Sequence, residues 1–315
     1  YITDDGVYFS IDKHKASGKK YGQLLELSSA NTSEARIDND EYDKESVHDF
    51  ALWKKQKDGE PAWEFELDGH NLSGRPGWHI ECSVMSVAAL GQPFDIHTGG
   101  IDLIFPHHEN EIAQSTTGAG DIYAKYFIHN EHLLVDGKKM SKSLNNFFTL
   151  DDIRKKGFDP LAFRLLILQA HYRSQTNFSW ENLEAAQNRL TNLRPMADMV
   201  FQPSMTASGD LVEGDFTNHM QAIEQALLND LNTPQALKHV SELANNVLHF
   251  GVASDQMTHF NALLDLIDSV FGLHLSKRQD INADQKKILA DRQAARDAKD
   301  WSKSDKLRDE LSKQG

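Results

Sequence analysis

Trp78-His79-Ile80-Glu81-Cys82-Ser83-Val84-Met85, then Phe94-Asp95-Ile96-His97-Thr98-Gly99-Gly100, then Pro106-His107-His108-Glu109-Asn110-Glu111 is the stretch on which the fold turns. Ile80, Val84 and Val87 recur at helical spacing. Gly74-Arg75-Pro76-Gly77 ahead of them reads as a turn, and Gly91 with Pro93 behind it stops the helix. Phe94 to His97 reads as a short strand, and Thr98-Gly99-Gly100 as a sharp turn at its carboxyl end. Pro106 opens a second helix through His107, Glu111 and Ala113. Helix, strand, glycine turn and helix make one unit of a parallel α/β sheet, in which ligands sit at the carboxyl ends of strands.

Outward from this unit the pattern changes. Upstream, Val7-Tyr8-Phe9-Ser10-Ile11 alternates as a strand does, Asp49 to Trp53 reads as a short helix or turn, and Asp40 to Glu45 is acidic and exposed. Downstream, Tyr126-Phe127-Ile128 and His132 to Val135 read as strands, and Asp136-Gly137 is a tight-turn dipeptide. Thr149 with Asp152 forms a capping box, and Asp159-Pro160 starts a helix over 161–170. Beyond Ser179 the chain reads as helices only, over 179–200, 218–228, 233–250 and 257–271, with a charged helical pair over 283–313. Gln202 to Asp215 reads as a linker. The fold class is thus α/β followed by all-α.

The chain has 315 residues, 39% hydrophobic and 25% charged, which excludes a disordered tail, a fibre or a disulfide scaffold and leaves room for two or three domains. No run approaches 18 apolar residues, so no membrane partner is expected. The start shows neither a basic nor an apolar leader segment and no initiator Met, so the numbered chain is expected to begin inside a longer protein. The single Cys82 leaves no internal disulfide and predicts a reducing, cytoplasmic setting. A net charge of −14 argues against indiscriminate nucleic-acid binding. The charge is uneven: residues 209–275 hold nine acidic side chains against Lys238 alone, whereas 281–315 holds nine basic against seven acidic.

Two constellations carry chemistry. Cys82, His107 and Glu111 offer thiolate, imidazole and carboxylate, the zinc repertoire, with His107 and Glu111 one helical turn apart. Spacing alone leaves two readings open. One is a zinc site, for which only three of four structural ligands are evident. The other is Cys82 as a small buried hydrophobe, with His107 and Glu111 paired on a solvated face. The second constellation is Gly137-Lys138-Lys139-Met140-Ser141-Lys142-Ser143, three ammonium groups and two hydroxyls in one short loop. Mobile lysines suit a polyphosphate whose charge grows at the transition state, although a generic lysine run is more often a solvated loop.

Lys139-Met140-Ser141-Lys142-Ser143 matches the KMSKS signature of class I aminoacyl-tRNA synthetases. Gly74 to Ser83, Phe105 to Ser115 and Asp49 to Lys54 resemble segments of cysteinyl-tRNA synthetases, and Arg292 to Leu311 resembles the start of their anticodon-binding domain. The resemblance implies the second half of a class I Rossmann-type catalytic domain, a KMSKS-loop region, a helical bundle and a partial anticodon-binding domain. The corresponding boundaries are 1–72 for a connective region, 73–125 for the half-domain, 126–178 for a stem-contact region, 179–275 for the bundle and 276–315 for the anticodon part. It implies ATP-dependent activation of cysteine to cysteinyl-adenylate and transfer to tRNA(Cys), with Mg2+ accompanying ATP, in a cytoplasmic monomer. Cys82, His107 and Glu111 would hold one zinc that binds the substrate thiolate, a bond serine cannot match. Trp78 and His97 would wall the amino-acid pocket. Gly99, Gly100 and Asp102 would meet the ribose and adenine. Lys139 and Lys142 would act catalytically on the departing pyrophosphate, Lys142 also binding ATP. Arg296, Trp301 and Asp305 would read the anticodon, the alternative being helix ion pairs.

The chain departs from the family pattern by carrying no HIGH-type ATP motif and no second cysteine. The expectation is a fragment of a larger enzyme, inactive alone. Two other readings compete: an ATP-dependent cysteine ligase acting on a small amine, and a non-catalytic RNA-binding truncation.

Overall fold

The computed structural model describes residues 1–24, 49–141, 144, 146–203 and 213–314. These fall into two units, 1–133 with 172–175 and 134–171 with 176–315. The acidic run Asp40 to Glu45 and most of the expected linker lie outside the described residues.

The first unit contains β1 (Ile2–Thr3), β2 (Gly6–Phe9), α1 (Ile11–Ala16), β3 (Phe50–Lys55), β4 (Glu66–Leu67), β5 (His70–Asn71), β6 (Gly74–Pro76), α2 (Trp78–Leu90), β7 (Phe94–Gly100), α3 (Glu109–Gly118) and β8 (Ala124–Asn130). An antiparallel sheet runs β1-β2-β3-β6. β7 and β8 pair in parallel, from Phe94 opposite Ala124 to Gly100 opposite Asn130. α3 is the crossover between them, as the helix–strand–helix pattern requires.

Four local expectations are corrected. Of residues 49–53, read as a short helix or turn, all but Asp49 lie in strand β3. Phe50 stacks on Phe9 at 4.8 Å and Trp53 packs on Phe65 at 4.6 Å, with its Nε1–H donating to the Leu72 carbonyl. Cross-strand aromatic packing of this kind outweighs local propensity. Gly74 to Gly77, read as a turn, is mostly strand β6. A Cβ on Gly74 would lie 2.1 Å from the Lys54 carbonyl oxygen, and one on Gly77 would lie 2.1 Å from that of Ala51. These glycines permit close backbone approach to β3 rather than a turn. Thr98 to Gly100 prolongs β7 because β8 remains paired with it to Asn130, and the turn follows at 101–103. Pro106 does not open the helix. Phe105 before it is extended (φ −136°, ψ 135°), as a residue preceding proline prefers, and α3 proper begins at Glu109.

The second unit contains β9 (Leu133–Val135) from Leu134 on, β10 (Lys138–Lys139), α4 (Leu150–Lys155), α5 (Pro160–Leu168), β11 (Thr176–Phe178), α6 (Trp180–Asp198), α7 (Glu213–Leu228), α8 (Thr233–Phe250), α9 (Met257–Phe271), α10 (Ala283–Asp297) and α11 (Trp301–Gln314). Its sheet runs β10-β9-β11. Asp136 (φ 48°) and Gly137 (φ 72°) both occupy left-handed conformations, the hairpin turn expected of Asp-Gly. Thr149 and Asp152 form the capping box of α4, and Asp159 caps α5 ahead of Pro160. α6 to α9 close over a core that includes Leu190, Phe216, Ile223, Val240, Phe260 and Phe271. Burying each such side chain contributes about 1.5–3 kcal/mol. On α10 and α11, Ala295 and Ser304 are buried among the described residues, so this pair carries little core of its own.

Candidate functional site

α2 presents Cys82 one turn beyond its start, half-buried. The irregular turn before α3 presents His107, and the first turn of α3 presents Glu111, both buried. One ligand atom from each of Cys82, His107 and Glu111 lies within 4.8 Å of the others. His97, His108 and Glu111 form a second such set around the same carboxylate. The three sequence-predicted ligands therefore converge. His107 and Glu111 do pair at i, i+4, but in the interior rather than on a solvated face.

Glu111 is the centre of this cluster. His107 Nε2 lies 2.7 Å from Oε1, and His97 Nε2 lies 2.9 Å from Oε2. The Tyr123 hydroxyl donates to Oε2 at 2.9 Å. Burial pushes the Glu111 carboxyl up, but His107 and His97 more than offset it and hold its pKa down to about 2. Burial, with Glu111 and Glu81 nearby, pushes the Cys82 thiol up. The Tyr123 phenol is likewise raised by burial.

The donors are oriented by further histidines. His79 Nδ1 and His107 Nδ1 are 2.8 Å apart, so one donates to the other. Burial and the neighbouring His107 bring His79 down to about 4, which keeps it neutral. If His107 is the donor through Nδ1, its Nε2 carries a lone pair, as metal ligation requires. His108 Nδ1 and His129 Nε2 are 2.7 Å apart, and burial beside His97 brings His108 down to about 3. Although each has an ion-pair contact, Glu111 Oε1 and His97 Nε2 are buried polar atoms that make no hydrogen bond. Buried lone pairs that crowd together unpaired are costly, and a shared cation relieves them. The residues present therefore fit a zinc ion.

Trp78 is 45% exposed, so it is not a core aromatic; its ring stacks on His107 at 4.2 Å. His97 lies against Phe94, Tyr123 and Phe127. Gly99 passes over His108, where a Cβ would come within 2.7 Å of the imidazole. Gly100 lies beneath the Asp102 carboxylate, where a Cβ would come within 2.4 Å of Oδ1. Sequence reasoning assigned no part to His79, His108, His129, Tyr123 or Glu109. The available signal was the unbroken polar run His107 to Glu111, every member of which is buried.

In the second unit, Lys138 and Lys139 are exposed on β10. The Asn146 amide closes the loop that follows: its Oδ1 accepts from the Ser141 N–H at 2.8 Å, and its Nδ2 donates to the Lys139 carbonyl at 3.0 Å. Asn177 Oδ1 accepts from the Gly137 N–H at 2.7 Å. Lys142 and Ser143 lie outside the described residues. On the tail, Trp301 is 58% exposed with the Arg296 guanidinium 5.9 Å from its ring, whereas Asp305 is engaged by Arg308 at 2.9 Å.

Residues 1–188 match the family described as tRNA synthetases class I (C) catalytic domain. Proteins named cysteine–tRNA ligase are similar along the whole chain. That of Chlamydia muridarum is 40% identical, covering 99% of this chain and 68% of the relative. Those of Leptospira interrogans (40%) and Solibacter usitatus (38%) each cover the full chain and 68% of the relative. The chain thus spans about two thirds of the length of these relatives. A crystal structure of an Agrobacterium radiobacter K84 LeuRS–tRNA–LeuAMS ternary complex shares the fold, with a TM-score of 0.53 at 16% identity over 68% of this chain and 32% of that one.

Proposed function

The chain belongs to the cysteine–tRNA ligases, a family of class I aminoacyl-tRNA synthetases, and from that premise we propose that it activates cysteine with ATP and transfers it to tRNA(Cys). The observation that carries the proposal is the convergence of Cys82, His107 and Glu111, whose buried carboxylate oxygen Oε1 makes no hydrogen bond. Zinc held there supplies an affinity for the substrate thiolate that a hydroxyl does not satisfy.

The protein's own groups do the remaining work. Glu111 stays ionised across the physiological range, and His79 and His108 stay neutral, so the cluster presents a fixed charge and fixed lone pairs. Trp78 and His97 wall the amino-acid side, and Gly99, Gly100 and Asp102 receive the ribose and adenine. The cysteine carboxylate oxygen attacks the α-phosphorus of ATP, accompanied by Mg2+, and the bond to pyrophosphate breaks. Lys139 and Lys142 stabilise the charge that accumulates on the leaving group. A ribose hydroxyl at the tRNA 3′ end then attacks the activated carbonyl and AMP leaves. Arg296 and Trp301 offer the anticodon a cation and a stacking face; Asp305, tied to Arg308, contributes through that pair. The working form is a cytoplasmic monomer.

The test is cysteine-dependent ATP–pyrophosphate exchange in the full-length protein, alongside its zinc content. Cys82→Ser should lose both. Unchanged exchange in that variant contradicts the metal-based selection of cysteine.

A further inference from the structure

We infer that the segment Lys19–Leu24 is a strap that fixes α3, and the turn leading into it, in the register presenting Glu111 and His107 to the metal position, with Glu109 as its positioning residue. The inference rests on the metal centre proposed above.

Glu109 is 1% exposed, and among the described residues no cationic side chain pairs with it. Its charge is met by backbone instead. Oε2 accepts the N–H groups of Gly22 at 2.9 Å and Gln23 at 3.0 Å, and Oε1 accepts that of Leu24. Three consecutive amides aimed at one carboxylate form a cradle built for a negative charge. One residue along, the buried Asn110 accepts from the Tyr21 hydroxyl through Oδ1 at 2.7 Å. At the other end of α3, Lys19 Nζ donates to the carbonyls of Thr116 and Gly120 and pairs with Asp121 at 3.3 Å.

The strap therefore grips both ends of the helix. It meets an anionic side chain at the amino end and supplies a cation at the carboxyl end, the arrangement the helix dipole favours at each. Glu109 and Glu111 are two residues apart, about 200° around the helix, so they face opposite sides. One carboxylate holds the strap while the other reaches the donors. A helix pinned on one face cannot rotate or slide to relax the crowded lone pairs on the other. Fixing the ligands before the ion arrives is what outer contacts do at metal sites, and losing one costs about 10–100-fold in affinity.

The experiment is zinc binding by competition with a chelator, on the full-length protein, with folding checked by circular dichroism at the assay temperature. Glu109→Gln keeps the shape but removes the charge and half of the acceptor capacity, and should weaken zinc binding about 10–100-fold. Lys19→Met and Tyr21→Phe lie nearer the surface, should still fold, and should weaken it by smaller factors in the same direction. Val240→Ala, in the core of the second unit, lowers overall stability and should leave zinc affinity unchanged. Wild-type affinity in Glu109→Gln, Lys19→Met and Tyr21→Phe overturns the strap while leaving the metal centre standing. An equal loss in Val240→Ala also overturns it, because the effect would then be global stability. A wild-type protein that binds no zinc overturns the metal centre itself.

Discussion

In the first unit the charge is enclosed: Glu111 is fully buried and touches His97, His107 and Tyr123, while Trp78 closes over His107. In the second unit the charge is exposed: Lys138 and Lys139 extend from a two-residue strand, and Asn146 and Asn177 grip the backbone around them rather than the ammonium groups. The difference matches what the proposed function asks each to recognise. A thiolate differs from a hydroxyl by chemistry at one atom, so its donors must be held rigidly and kept dry. A polyphosphate is recognised by charge, which tolerates a flexible stem and changes position as pyrophosphate forms.

The contrast breaks first at its buried end. Glu111→Gln removes the one anion shared by both donor sets and should cost more than about 100-fold in zinc affinity, measured by chelator competition. If zinc is retained, the buried charges are a structural pair and the comparison fails. The exposed end should break differently. Lys142→Ala should slow adenylate formation by about 100-fold while cysteine affinity hardly changes. Asn146→Ala, which leaves both lysines in place, should follow the same pattern at roughly 10-fold. Single-turnover kinetics separate the two effects, and equal losses in rate and binding would contradict a transition-state role.

The smallest effect concerns His14, buried near α3 with its Nδ1 2.7 Å from the Thr117 hydroxyl. Burial lowers its pKa, so the folded protein takes up this proton at a lower pH than the unfolded chain does. The unfolded chain protonates it below about pH 6.5 and then binds more protons than the native state. Stability should therefore be complete above that pH and fall as pH drops through it, by at most about 1.4 kcal/mol per unit. His14→Gln should flatten the dependence of the urea midpoint between pH 7 and pH 5. An unchanged slope would mean that His14 does not contribute to the pH dependence.

Much of this was legible in the sequence for physical reasons. Asp136-Gly137, the Thr149–Asp152 box and Asp159-Pro160 are local devices, and each formed as read. Cys82, His107 and Glu111 were open between two readings on chemistry and spacing alone; the family resemblance singled them out, and the structure brings them together. β3 and β6 were not, because Phe50 to Trp53 and Gly74 to Pro76 take their conformation from neighbours distant in sequence. The histidines behind the ligands were illegible for the same reason: His79 is 28 residues from its partner His107, and His129 is 21 from His108.

The central claim is that Cys82, His107 and Glu111 form a centre selective for a thiolate. Substituting cobalt for zinc in the full-length protein and recording its absorption on addition of cysteine or serine tests this most directly. A thiolate band from Cys82 should grow when cysteine is added and should not respond to serine. A spectrum without a thiolate band, or one that serine changes as cysteine does, would contradict it.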